Sequence, residues 1–421
     1  MLIPPQMPRA GILFERGQLI DYVEIAVRQF SQQILPQGFG ASTVWGYGPA
    51  EALSPLVPII FNPPSLTIEA NAGVPVHIKW INQLTKANGL SGYATVGTWY
   101  DFFAAKPNSK YGVTWGPGFG VFQYPNDQRA STIWYHDHTL GMTGKNVYAG
   151  PAGFFIIRGG PARDLALRDR RTGGLARLQR PAPSNIDQLI KNRKFYEIGI
   201  AIQDRSFNAD GSLFYPDSRA FFGDEPPITS FIPDSDVSPI HNPEFFGNCN
   251  MVDGATWPKP QVEQRRYRLR LLNGCNSHAL VLKFDDSNVK VWQIGNETGF
   301  LTEPVNINAN PPHLSVADNG RAVLLMRNAE RADLIVDFTG ATAGPVQLLD
   351  VGPDAPFGGF PIEMSDLADS ATTGPVMRFD VVASKGTDFS APPQFLRLPA
   401  IATLPAPVRT RKLSRVELTS A

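Results

Sequence analysis

Two segments far apart in the chain carry the same alternation of apolar and polar residues, and the second reads as a repeat of the first. Leu66-Thr67-Ile68-Glu69 is followed by Val76-His77-Ile78-Lys79-Trp80-Ile81-Asn82, and Pro260-Gln261-Val262-Glu263 by Tyr267-Arg268-Leu269-Arg270-Leu271-Leu272-Asn273. Alternation with a period of two is the pattern of a strand with one buried face. A further match pairs Arg129-Ala130-Ser131-Thr132-Ile133-Trp134 with Arg331-Ala332-Asp333-Leu334-Ile335-Val336, in the same order downstream. Two copies of one β-domain explain both matches most economically.

Composition agrees. Gly and Pro, 38 each, demand frequent turns, and turns among Val, Ile, Phe, Tyr and Trp segments favour short strands. The expected fold class is therefore all-β, a sandwich or barrel architecture. Lys plus Arg equals Asp plus Glu at 38 each, which gives no electrostatic reason for a nucleic acid or an anionic membrane as partner. No apolar run is long enough to span a bilayer. The start, Met1 to Arg9, lacks a basic region followed by an apolar stretch and a cleavage site, so the default expectation is cytoplasmic, with the compartment left open. Cys249 and Cys275 form neither a Cys-x-x-Cys nor a pair beside a histidine, and read either as two free thiols or as one disulfide.

The expected organisation is a first domain over residues 1–160, a linker over 161–193, a second domain over 194–385, and a proline-rich segment over 386–421 in which Arg411 to Leu418 opens a new strand. Pro161 to Asn185 is rich in Arg, Pro and Gly with little apolar periodicity, as a solvated connector over the surface would be.

Ser131 to His138 reads as a strand, so His136 and His138 project from one face. Two imidazoles side by side hold a metal such as copper or zinc, or are two solvated or hydrogen-bonded histidines. Carrying the repeat forward puts Phe338 opposite His136 and Gly340 opposite His138, so the fold itself does not require histidine there. Trp134 and Tyr135 read as core or interface aromatics.

The run Asn126-Asp127-Gln128-Arg129-Ala130-Ser131-Thr132-Ile133-Trp134-Tyr135-His136-Asp137-His138-Thr139-Leu140-Gly141-Met142-Thr143 resembles the multicopper oxidases, in particular bacterial laccases of the spore-coat and bilirubin-oxidase type. The likeness continues through Asn146 to Phe154, Val23 to Phe30, Gln203 to Phe207, Arg265 to Ser277 and Ala329 to Asp333, while Gly144 and Lys145 depart from it. The resemblance implies cupredoxin-like Greek-key β-sandwich or barrel domains, copper as cofactor, and oxidation of a small phenolic or aromatic reducing substrate with dioxygen reduced to water. It assigns His136 and His138 as metal ligands from the second of four histidine motifs, and gives no other residue a catalytic or cofactor-binding role. Two such domains are expected here, the first incomplete: a His-x-His-Gly motif is missing near Gly89 to Gly92, and the third domain with its His-Cys-His is expected to be absent.

The other histidines read as bland. His77 is expected to be solvated on the polar side of its strand, and His241, His278 and His313 to lie at the surface. Glu330, Asp333 and Asp337 read as turn and strand-end contacts rather than an acid/base pair. The expected function is an impaired or inactive oxidase of the family. The alternatives are a non-enzymatic cupredoxin scaffold or interaction protein, and an assembly in which other chains supply ligands.

Overall fold

The computed structural model describes the chain except for residues 1–2, 16, 53–58, 85–113, 117, 140–141, 160–166, 180–194, 217–243, 309–322, 363 and 414–421. The first half forms β1 (Gly11–Glu15), β2 (Gln18–Gln32), β3 (Ser42–Pro49), β4 (Ser65–Asn71), β5 (Val76–Asn82), β6 (Thr114–Gly116), β7 (Phe119–Tyr124), β8 (Ser131–His136), the helix α1 (Thr143–Ala149) and β9 (Ala152–Arg158). These strands make a sheet in the order β1-β2-β5-β7-β6, with β3 against β2, and a smaller sheet β4-β9-β8. β5 runs parallel to β2 and antiparallel to β7, so its alternate residues reach the interior, where Ile25, Leu66, Ile68, Ile78 and Ile157 are all but fully buried. Burial of each such side chain contributes about 1.5–3 kcal/mol.

The second half continues with β10 (Arg168–Asp169), β11 (Glu197–Phe207), β12 (Leu213–Phe214), β13 (Cys249–Val252), β14 (Ala255–Thr256), β15 (Gln261–Glu263), β16 (Arg266–Asn273) and β17 (Leu280–Phe284). β18 (Lys290–Asn296), β19 (Gly299–Asn306), β20 (Leu324–Met326), β21 (Arg331–Asp337), β22 (Gly344–Asp350), β23 (Pro375–Val382) and β24 (Leu396–Arg397) follow. Here the larger sheet is β14-β13-β11-β16-β21-β18-β19 and the smaller is β15-β23-β22-β17-β20. Both halves are cupredoxin-like all-β sandwiches.

The first repeat match is a true topological one. β16 lies parallel to β11 as β5 does to β2, and β15 lies parallel to β23 as β4 does to β9. The second match is not. β21 lies beside β16 as β7 lies beside β5, and the strand that takes the place of β8, antiparallel to the last strand of its sandwich, is β22. Phe338 and Gly340 therefore do not stand opposite the histidines. Arg129-Ala130 just before β8 and Arg331-Ala332 at the start of β21 share the same polar-to-apolar step, and that likeness carried the mistaken alignment. The inference it supported survives on other residues, because β22 contains no histidine.

The halves meet across β9 and β8 on one side and β11, β16 and β21 on the other. Phe154, Ile156, Ala201 and Leu272 form the apolar part of the contact, with Trp134 against them. Gly199 makes it possible, since a Cβ there would stand 3.0 Å from the Phe154 ring. Beside it lies a network of three guanidinium groups and three carboxylates, in which Glu197, Arg268, Arg270 and Asp333 are buried and Arg158 and Glu69 half-buried. Arg158 holds Glu69 at 2.8 and 3.0 Å and Glu197 at 2.9 Å; Arg270 holds Glu197 at 2.7 Å and Asp333 at 3.3 Å; Arg268 holds Asp333 at 2.8 and 2.6 Å. Burial alone would raise the Glu197 carboxyl, but Arg158, Arg270 and Arg268 together hold it well below the usual range.

Three sequence expectations are corrected. The described part of the linker is docked rather than solvated: β10 pairs with β24, and Leu167 is fully buried with Ala130, Ile294, Phe300, Ile335 and Leu396. Lone apolar residues among arginines escape a periodicity search, which is why the segment looked like a connector. His77 is buried, its Nε2 without a hydrogen-bond partner and its Nδ1 4.0 Å from Glu15, because β5 is a central strand of a sheet that curls over it. His278 is also buried, bridging Asp204 at 2.9 Å and Asp354 at 3.1 Å. His241 and His313 lie outside the described residues.

Removing one member of the six-group network strands its partners. Glu197→Gln or Arg270→Met is expected to lower stability by about 3–5 kcal/mol, read as a fall in the urea midpoint at unchanged m-value.

Stability should also depend on pH through two buried groups. Burial opposes the charge on His278, yet its bonds to Asp204 and Asp354 raise it from 6.5 to about 10, so its contribution is complete below 6.5 and lost as pH rises through 10. Burial pushes Asp253 from 3.8 up to about 8; its Oδ1 accepts the Ala201 amide at 3.0 Å while its Oδ2 has no partner. Its proton must be given up to ionise, so stability falls between those two values as pH rises. Asp253→Asn keeps the acceptor and suits the φ of 49° there. It is expected to add on the order of 1–3 kcal/mol at pH 7 and to flatten the lower leg of a urea-midpoint against pH curve, whereas His278→Gln destabilises and flattens the upper leg.

Candidate metal centre

β8 is built of hydroxyl, β-branched and aromatic residues, which suit a pleated, half-buried surface. It pairs with β9, Ser131 opposite Ile157 and His136 opposite Ala152, and among the described residues no strand pairs with its other edge. Tyr135 turns into the first sandwich, where its hydroxyl donates to the Leu66 carbonyl at 2.7 Å and its ring lies 5.6 Å from those of Tyr47 and Trp80. Gly153 opposite leaves room for that ring, since a Cβ would stand 2.7 Å from it. Alternation then sends Trp134 and His136 to the other face, ring centroids 4.4 Å apart.

His136 ends the strand, Asp137 is buried, and His138 is exposed. The Asp137 carboxylate accepts from the Thr139 amide at 3.0 Å, the Thr139 hydroxyl at 3.1 Å and the buried Asn146 of α1 at 2.8 Å. This anchor fixes the short segment that carries His138. The two imidazoles come to rest 5.8 Å apart between centroids, their planes 22° from parallel. His136 Nδ1 lies 2.6 Å from the Asp137 carbonyl. A carbonyl only accepts, so that nitrogen carries the proton and Nε2 keeps its lone pair for a ligand role.

Two imidazoles side by side fit a borderline metal ion such as copper. They make part of a centre, because a closed site takes three or four ligands, and among the described residues no group of three or more His, Cys, Asp or Glu is arranged to hold a metal ion. The segment around Gly89 to Gly92, where a further histidine motif was sought, lies outside the described residues. His77 and His278 lie elsewhere, on β5 and beside Asp204 and Asp354.

His136 and Trp134 also wall a cavity of about 230 Å³ completed by Tyr148, Arg205, Cys275 and Asn276. Arg205 stacks over the Tyr148 ring at 4.6 Å, and the Tyr148 hydroxyl donates to the Phe214 carbonyl at 2.6 Å. Cys249 and Cys275 are both free thiols, and burial pushes the Cys275 thiol well up, so it packs as an inert side chain. Glu330 accepts the Arg327 amide at 2.8 Å and Asp337 the Thr339 amide at 2.9 Å, as turn residues do, whereas Asp333 belongs to the buried network. Sequence reasoning passed over Asp137 and Asn146. The Asp-x-Thr spacing that follows β8 is an Asx-turn signature and was the available signal.

The family model described as multicopper oxidase matches residues 60–162, which contain β8, α1 and both histidines. A laccase from Bacillus stratosphericus is 32% identical over 299 residues, 66% of this chain and 49% of that protein. The bilirubin oxidase of Albifimbria verrucaria is 26% identical over 404 residues, 94% of this chain and 56% of that protein. The McoA multicopper oxidase from the hyperthermophile Aquifex aeolicus shares the fold at a TM-score of 0.57 and 20% identity, covering 96% of this chain and 69% of that one. The chain spans about half the length of the curated relatives it matches. With these likenesses falling on the strand, helix and histidine pair that the fold brings together, the chain belongs to the multicopper oxidase family.

Proposed function

We propose that His136 and His138 are copper ligands, and that the whole protein's reaction is copper-dependent oxidation of small phenolic or aromatic compounds with reduction of dioxygen to water. The observation that carries this reading is the near-parallel pair of imidazoles at the open end of β8, one of them with its Nε2 lone pair set free by the bond from Nδ1 to the Asp137 carbonyl. The names of the relatives, laccase and bilirubin oxidase, support the substrate class. Copper, when bound, supplies the one-electron redox chemistry. The chain's own residues hold and orient: Asp137 and Asn146 fix the segment between the ligands, and Trp134 shields one side of the His136 ring.

The same geometry supports an impaired oxidase in the chain as it stands. Two imidazoles bind a metal weakly and exchangeably, whereas dioxygen reduction needs an electron-entry site and a closed cluster of ligands. A non-enzymatic scaffold is the second reading, favoured by the same count of ligands among the described residues.

The purified chain is expected to bind at most one copper, measured by elemental analysis after dialysis, and to oxidise a phenolic substrate no faster than free copper does. His136→Ala and His138→Ala should each weaken copper binding by at least about tenfold, and Asp137→Ala by about 10–100-fold through loss of orientation. Several coppers per chain together with turnover would overturn the impairment. Copper binding unchanged in both histidine variants would overturn the ligand assignment.

A further inference from the structure

The second sandwich holds a cavity that the copper reading does not use. It opens between the two sheets of that half and measures about 460 Å³, within the range of pockets that take drug-sized molecules. Its depth is aliphatic: Leu269 and Leu271 of β16, Leu334 and Val336 of β21, and Leu282 and Leu348 from the facing sheet, none of them more than 3% exposed. Protein interiors are packed like organic crystals and seldom keep voids larger than a water molecule. A hollow of this size forfeits dispersion contacts over its whole lining unless something apolar fills it.

Charge is confined to the mouth, where Lys283 and Lys290 face Asp285 and Asp286 and cancel in sum. These groups already have partners. Lys290 donates to the Ser287 carbonyl at 2.8 Å, Asp286 accepts the amides of Asn288 at 2.8 Å and Thr342 at 3.1 Å, and Asp285 accepts that of Gln347 at 2.8 Å. A charged head group would find no excess of the opposite sign there. We propose that this cavity binds a neutral, mainly apolar small molecule of the size of a naphthalene derivative or a monoterpene alcohol, with any polar end at the mouth near Ser287. The site is separate from the histidine pair and does not depend on copper.

The full chain titrated with N-phenyl-1-naphthylamine should show saturable fluorescence enhancement at one probe per chain. A neutral monoterpene alcohol such as menthol should displace the probe, and a carboxylate of similar size should do so at least tenfold less well. Leu271→Phe and Leu348→Phe, which fill the hollow from opposite sheets, should each weaken probe binding at least tenfold. Phe14→Ser, on an exposed hairpin residue, should leave it unchanged. Circular dichroism identifies any variant that fails to fold, and an upward shift of the wild-type melting temperature with menthol reads the same site without a variant. The proposal is overturned by a folded wild type that shows no saturable binding, by folded filling variants that bind as before, or by loss of binding in Phe14→Ser. Binding that appears only when residues 309–322 are replaced by a short Gly-Ser linker overturns it too, because the chain itself would then fill the space.

Discussion

The arrangement of Arg158, Arg268 and Arg270 with Glu69, Glu197 and Asp333 is the constraint on which the two halves depend. A guanidinium or carboxylate taken out of water alone costs several kcal/mol even after relaxation, so the four buried groups, Glu197, Arg268, Arg270 and Asp333, are tolerable only with their partners in place. The partners come from both sandwiches: Glu69 and Arg158 from β4 and β9, the rest from β11, β16 and β21. The parallel register of β11 and β16 sets Glu197 beside Arg268, and the antiparallel register of β16 and β21 sets Arg270 beside Asp333. A slip of one residue in either ladder would turn a charge toward the apolar core. The network thus specifies register and the docking of the halves at once, whereas the Phe154–Leu272 contact next to it supplies adhesion without that selectivity.

The site inherits this order through Thr132. Its hydroxyl accepts from Arg270 at 2.5 Å and its carbonyl from Arg331 at 3.1 Å, so β8 is tied to the second half four residues before His136. At its far end the strand is tied to α1 through Asp137. Between those two anchors the strand has little freedom, and the direction of His136 follows from the pleat. The histidines are placed by a charge network and by one buried carboxylate, and neither needs a metal for its own stability.

Much of this was legible in the sequence, for a stated reason in each case. Val76–Asn82 and Arg266–Asn273 alternate because one face of each packs into an apolar core while the other carries polar side chains, and alternation survives in a single chain. The histidine pair was legible for the same reason, with a run of flanking residues specific enough to name a family. His278 was not, because its environment is assembled from Asp204 and Asp354, far from it along the chain, and nothing local announces a bridge between them. His77 was misread because alternation shows which residues point together and not whether the second face is also covered. Leu167 was missed because a single apolar anchor has no period.

The comparison of β8 with β22 explains why the pair sits in the first half and not in both. The two strands hold the same place beside the last strand of their sandwich, but β22 is flanked by β23 and β17. Its end is therefore enclosed, and the residue there, Asp350, spends its carboxylate internally on the amides of Val281 at 2.8 Å and Gly352 at 2.9 Å. Among the described residues β8 has only β9, so the side chains at its end face outward, with His138 exposed. Asp137 meets the internal demand for a loop anchor that Asp350 meets in the second half, and meeting it from the inward-facing position leaves the outward positions on either side available for ligands. A histidine pair can be carried on such an edge without any change to the core beneath it, which is why the same β-sandwich presents two imidazoles at the end of β8 in one half and encloses the corresponding strand end in the other.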